Sequence, residues 1–136
     1  MSRLYLDANV VIGLVEDEPG PRAQVRDILA AHGGADAVYV VSDLVRLECR
    51  VKPIAAGDRG LLDAYARYFA LPDVTVTNLP APVYDRATEI RARLGYGLAD
   101  SLHLAAAIEA GCDAFLTADA QLAGFSGIPV ILLRPA

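Results

Sequence analysis

Three short runs, Leu4-Tyr5-Leu6, Val38-Tyr39-Val40-Val41 and Ala114-Phe115-Leu116, are apolar without interruption, and stretches of helical spacing separate them. A strand with one face in water alternates apolar and polar residues. A strand covered on both faces is apolar throughout, and strands alternating with helices build parallel sheets. The pattern therefore predicts one α/β domain over residues 1–136: a central parallel sheet between two layers of helices. At 136 residues and 54% apolar composition the chain is long and oily enough to fill one core.

The expected strands are 3–7, 38–41, 74–77, 114–117 and 128–133. The expected helices are 8–16, 21–31, one opening at Ser42, 58–69, one opened by Pro80 and Pro82 and running to Leu94, and 99–110. The acidic run Glu16-Asp17-Glu18 with Pro19-Gly20-Pro21 closes the first helix, and His32-Gly33-Gly34 the second. Ser42 is expected to cap the third through its hydroxyl, and Pro53 to interrupt or kink it. Gly95-Tyr96-Gly97 reads as a flexible joint.

Acids punctuate this pattern. Asp7 ends the first strand and Asp119 lies just past the strand at 114–117. Glu48 is in the second turn of the helix after the second strand, and Asp100 opens the helix that feeds the strand at 114–117. Right-handed crossovers bring all four to the carboxyl edge of the sheet, where open α/β sheets place their ligands. Taken singly, each acid has an ordinary reading: Asp100 as a helix N-terminal charge, Asp119 as the cap of a short turn through Gln121-Leu122. Four carboxylates at one rim repel unless a cation joins them. An all-oxygen donor set suits Mg2+ or Mn2+, which serve phosphoryl chemistry.

The formal net charge of −5 does not exclude a nucleic acid substrate. Setting these four acids aside leaves 13 acidic against 12 basic residues, a net of −1, and eleven of the basic residues are Arg. Cys49 and Cys112 form no CxxC pair, so two reduced cysteines are expected rather than a zinc or redox site. No apolar run is long enough to cross a membrane, and no secretory h-region is present, so a cytoplasmic protein is expected.

The segments Leu6-Asp7-Ala8-Asn9, Ser42-Asp43-Leu44-Val45-Arg46-Leu47-Glu48, Gly97-Leu98-Ala99-Asp100-Ser101-Leu102-His103-Leu104-Ala105 and Leu116-Thr117-Ala118-Asp119 resemble those of PIN-domain ribonucleases, and within them the VapC-type toxins of toxin–antitoxin pairs. The likeness spans nearly the whole chain. Its third segment, an Asp three before a His on an alanine-rich helix, is the most specific. The fourth departs from the family's habit, with Ala118 where Asn is more usual. The resemblance implies an αβα sandwich, a Mg2+- or Mn2+-dependent endoribonuclease whose metal-activated water cuts RNA phosphodiesters, a homodimer and a VapB-type antitoxin. It implies that Asp7, Glu48, Asp100 and Asp119 are the catalytic, metal-holding acids, with Asn9 and Thr117 supporting them.

His103, one turn after Asp100, reads as a hydrogen-bonded structural histidine, with orientation of Asp100 or contact with substrate as alternatives. Arg46 and Arg50 suit either RNA phosphates or a solvated face that pairs with Asp43; Tyr96 suits either an unpaired base or a dimer contact. Other functions remain in view. A housekeeping PIN nuclease in RNA processing shares the same residues. A non-catalytic docking module would use the acidic rim to bind basic groups. A phosphohydrolase with an Asp nucleophile fits less well, because Asn9 stands where a second Asp is wanted and Lys52 is the only lysine. No Gly-rich loop precedes Lys52, which sets aside a P-loop NTPase.

Overall fold

The computed structural model describes residues 2–16, 21–32 and 34–133. The proposed stop at residues 17–20, Gly33 and the last three residues lie outside them. The apolar runs form strands β1 (Arg3–Leu6), β2 (Val38–Ser42), β3 (Val74–Thr77), β4 (Ala114–Thr117) and β5 (Val130–Leu132). They make one sheet in the order β3-β2-β1-β4-β5, and every pairing is parallel.

Helices fill the crossovers: α1 (Ala8–Glu16) and α2 (Pro21–His32) between β1 and β2, α3 (Asp43–Ala56) and α4 (Arg59–Phe69) between β2 and β3, α5 (Ala81–Leu94) and α6 (Leu98–Glu109) between β3 and β4. The first two crossovers step one way along the sheet and the third steps back over β1. Right-handed connections then put α1 to α4 on one face and α5 and α6 on the other. The packing agrees, since α1 touches α2, α3 and α4 while α5 packs on α6. The three-layer arrangement expected from the sequence is present.

The order reverses between β1 and β4, so those two strands diverge to opposite crossovers and leave a crevice beyond their carboxyl ends. The core beneath is aliphatic, with Leu4, Leu6, Val40, Val41, Leu104 and Leu116 all but fully buried. Tyr5 stacks on Phe115 at 5.2 Å between ring centroids, fixing β1 against β4.

Four local expectations are revised. Pro53 does not break α3, which continues to Ala56. Val45, Cys49 and Pro53 form its buried stripe, and their packing outweighs a local penalty of about 3 kcal/mol. Ser42 stands at the N-terminus of α3 but its hydroxyl makes no capping bond. Gly95 (φ 75°) closes α5 with its N–H on the Arg91 carbonyl, so the joint at 95–97 opens on a helix cap that uses the left-handed region open to glycine. The last strand is shorter than expected, because Ile128 is buried in the approach and only Val130–Leu132 pair with β4.

Candidate active site

Asp7 follows β1 directly and is 6% exposed. Its backbone N–H bonds the Leu116 carbonyl (3.0 Å) and its own carbonyl accepts from Val10 N–H (3.0 Å), so the residue ends the strand and starts α1 in one step. A buried carboxylate needs donors. Here the Ala8 N–H serves Oδ1 at 2.8 Å, and the Thr117 hydroxyl and Asn9 amide serve Oδ2 at 2.8 and 3.3 Å.

Thr117 ends β4 and is fully buried. Besides donating to Asp7, its hydroxyl accepts from the Asp119 N–H at 3.0 Å. Asn9 closes the same arch: its Oδ1 accepts from the Ala118 N–H at 3.1 Å. The two polar residues thus tie the end of β1 to the end of β4. Asp119 caps the 3-10 turn Ala120–Leu122 by accepting from Gln121 N–H at 2.9 Å.

Glu48 is half-buried on α3, and its Oε1 is hydrogen-bonded to His103 Nε2 on α6. His103 Nε2 also lies 3.7 Å from Asp7 Oδ1. Two helices from opposite faces of the sheet therefore meet beyond the end of β1. His103 is thus the hydrogen-bonded, buried histidine the sequence suggested, and its carboxylate partner is Glu48, with no hydrogen bond to Asp100. Behind it, Nδ1 is 2.8 Å from the Tyr5 hydroxyl, which is 2.8 Å from Ser42 Oγ. Tyr5 and Ser42 escaped notice in the sequence because one sits in an apolar run and the other at an obvious cap position. The available signal was a tyrosine in an aliphatic strand, whose hydroxyl needs a partner when buried.

Asp100 is in the first turn of α6, and among the described residues it makes no hydrogen bond within the protein. Burial pushes its carboxyl above the ordinary value; the charges of Asp119, Asp7 and Glu48 add to the rise and His103 opposes it. All four acids therefore act on one region of space. Among the described residues no Arg or Lys forms an ion pair with any of them. No three His, Cys, Asp or Glu side chains among the described residues are already drawn together tightly enough to hold a metal ion. The donor set itself fits a hard divalent cation, being all oxygen and carboxylate. Cys49 does not compete as a nucleophile, because burial pushes its thiol up to about 12.

The other candidates are engaged elsewhere. Arg46 pairs with Asp43 at 3.1 Å, and Arg50 Nε donates to the Arg46 carbonyl at 3.0 Å. Arg86 pairs with Glu109 and Arg93 with Glu89. The Tyr96 ring packs edge-on against Phe125.

Comparison with known proteins follows the same lines. The PIN domain family model matches residues 4–127. No curated protein matches significantly. Among solved structures, VapBC2 from Rickettsia felis, bound to a DNA fragment from its promoter, matches with a TM-score of 0.74 at 12% identity, covering 96% of this chain and 98% of that one. A toxin-antitoxin complex from Klebsiella pneumoniae gives 0.71 at 18% identity, covering 98% and 99%. The sarcin-ricin loop cleaving toxin VapC20 from Mycobacterium tuberculosis gives 0.66 at 19% identity, covering 93% and 98%. At these identities the likeness is one of fold.

Proposed function

The chain belongs to the PIN domain family, and on that premise we propose that it is a divalent-metal-dependent endoribonuclease, the toxin of a toxin–antitoxin pair. The observation that carries this reading is the unbalanced charge at the β1/β4 crevice. Three other carboxylates bear on Asp100, opposed by His103, and no arginine or lysine among the described residues forms an ion pair with any of the four.

In this reading Asp7, Glu48, Asp100 and Asp119 hold Mg2+ or Mn2+. When bound, the cation supplies charge neutralisation for the RNA phosphate and makes a water more acidic. The chain's own residues do the rest. Thr117, Asn9 and the Ala8 N–H donate to the Asp7 carboxyl and fix its orientation at the end of β1. The Thr117 hydroxyl also sets the backbone of Asp119, coupling the two strand-end acids. His103 holds Glu48 at the same rim.

A partner chain is part of the proposal. Leu47, Val51 and Ile54 on α3 are each more than half exposed, as are Leu94 and Leu98 at the α5–α6 corner. Apolar residues grouped in this way favour cover by another chain. An antitoxin on α3 and a second copy at the α5–α6 corner account for both groups. Similar solved structures that are toxin–antitoxin complexes support an antitoxin as one of the partners.

Induction in cells with mapping of new RNA 5′ ends tests the function. The wild-type chain is expected to arrest growth and produce discrete cleavage sites, and Asp100→Asn to do neither. The same sites and the same arrest from Asp100→Asn would overturn the reading.

A further inference from the structure

We infer that Ser42, Tyr5 and His103 form a buried positioning chain that fixes Glu48 at the acidic rim. The inference rests on the four-carboxylate reading given above. It concerns three residues that touch no substrate and so act through Glu48.

Glu48 is the acid that most needs such help. Asp7 receives three donors and Asp119 is fixed as the cap of its turn, both from residues near the strand ends. Glu48 is a long side chain on a helix surface, and among the described residues its hydrogen bond within the protein is the one to His103. His103 is itself 2% exposed, so its ring has little freedom. Nε2 faces carboxylate oxygens, which only accept, and therefore carries a hydrogen. In the neutral imidazole Nδ1 then accepts from the Tyr5 hydroxyl, and Tyr5 accepts from Ser42. In the charged imidazolium the two rear bonds reverse, and Nε2–H still points at Glu48. The positioning is the same in either state.

Each member departs from its ordinary use in a way the chain explains. Ser42 has the extended backbone of a helix cap (φ −120°, ψ 170°) yet makes no capping bond, and its hydroxyl is on Tyr5 instead. The Tyr5 ring is clamped by stacking on Phe115 and lies edge-on to the imidazole, with centroids 5.9 Å apart. The hydroxyl that aims the histidine is thus anchored in the sheet, between Ser42 at the end of β2 and His103 on α6, and the chain ends on Glu48 of α3. Indirect partners of metal ligands characteristically change metal affinity by about 10–100-fold when removed.

Calorimetric titration of the full-length chain with Mn2+ alone, alongside thermal melting, tests this. Tyr5→Phe removes one hydroxyl and is expected to weaken Mn2+ binding about tenfold. His103→Ala is expected to weaken it by about 10–100-fold, and His103→Gln, which restores an N–H near Nε2, to recover part of the loss. Wild-type affinity in folded Tyr5→Phe and His103→Ala proteins would overturn the inference. If His103→Ala does not fold, wild-type affinity in both Tyr5→Phe and Ser42→Ala overturns it equally. A separate arm isolates the underlying reading: Asp7→Asn should abolish Mn2+ binding. Unchanged binding there, or none by the wild type, defeats the four-carboxylate site and the inference with it.

Discussion

The fold opposes the ionisation of Asp100. Burial raises its pKa and three neighbouring carboxylates raise it further, so the folded chain holds that proton more tightly than the unfolded one. Its contribution to stability is therefore fully present at acid pH and is lost as pH rises through the folded value. At neutral pH the ionised group is a cost. Asp100→Asn should melt higher than wild type at neutral pH, by about 1–2 °C, a small gain because the site is open enough for solvent to screen the charges. The gain should shrink as pH falls toward the ordinary carboxylate range, as melts across that range would show. Neutralising Asp100 should thus stabilise the fold and remove the function together. At this scale Asp7 and Asp119 were legible because they terminate strands, and Thr117 and Asn9 only through the resemblance of the segments that carry them. The bond from His103 to Glu48 was not. It joins residues 55 positions apart on helices from different crossovers, and neither helix alone indicates which carboxylate the histidine meets.

At the scale of elements, α6 has the narrowest tolerance. Every residue from Ser101 to Ala107 is buried, and the helix packs on α5, β2 and β4 at once. Ala105, Ala106 and Ala107 let it approach that closely. Ala106→Leu should destabilise the chain by about 1–3 kcal/mol, because a close-packed site has no room for the added carbons; urea unfolding measures this. Cleavage should fall as well, since α6 carries both Asp100 and His103. Most elements could be read from apolar runs and helical spacing. The misread ones failed for tertiary reasons: Pro53 stays helical because its ring belongs to a buried stripe, and Ser42 gives up its cap because Tyr5 needs its hydroxyl. Local propensity does not contain either partner.

For the whole molecule, the strand order matters more than any element. With β1 and β4 adjacent and their crossovers diverging, residues as distant in sequence as Asp7 and Asp119 share a crevice. Chain direction alone predicts that four acids reach one edge. The pairing of β1 with β4 makes neighbours of two of them, and that order is set by which apolar faces pack together, not by any local signal. The consequence is a carboxylate-rich crevice at the strand ends, which under the proposed function holds a divalent cation against an RNA phosphate. Cleavage of RNA by the purified chain, with Mn2+ and with a chelator, tests this most directly when Asp7→Asn is run beside the wild type and folding is followed by circular dichroism. The account predicts wild-type cleavage that the chelator stops and excess Mn2+ restores, and at least a roughly 100-fold loss in a folded Asp7→Asn protein. Cleavage that continues in chelator, or full activity in Asp7→Asn, would contradict it.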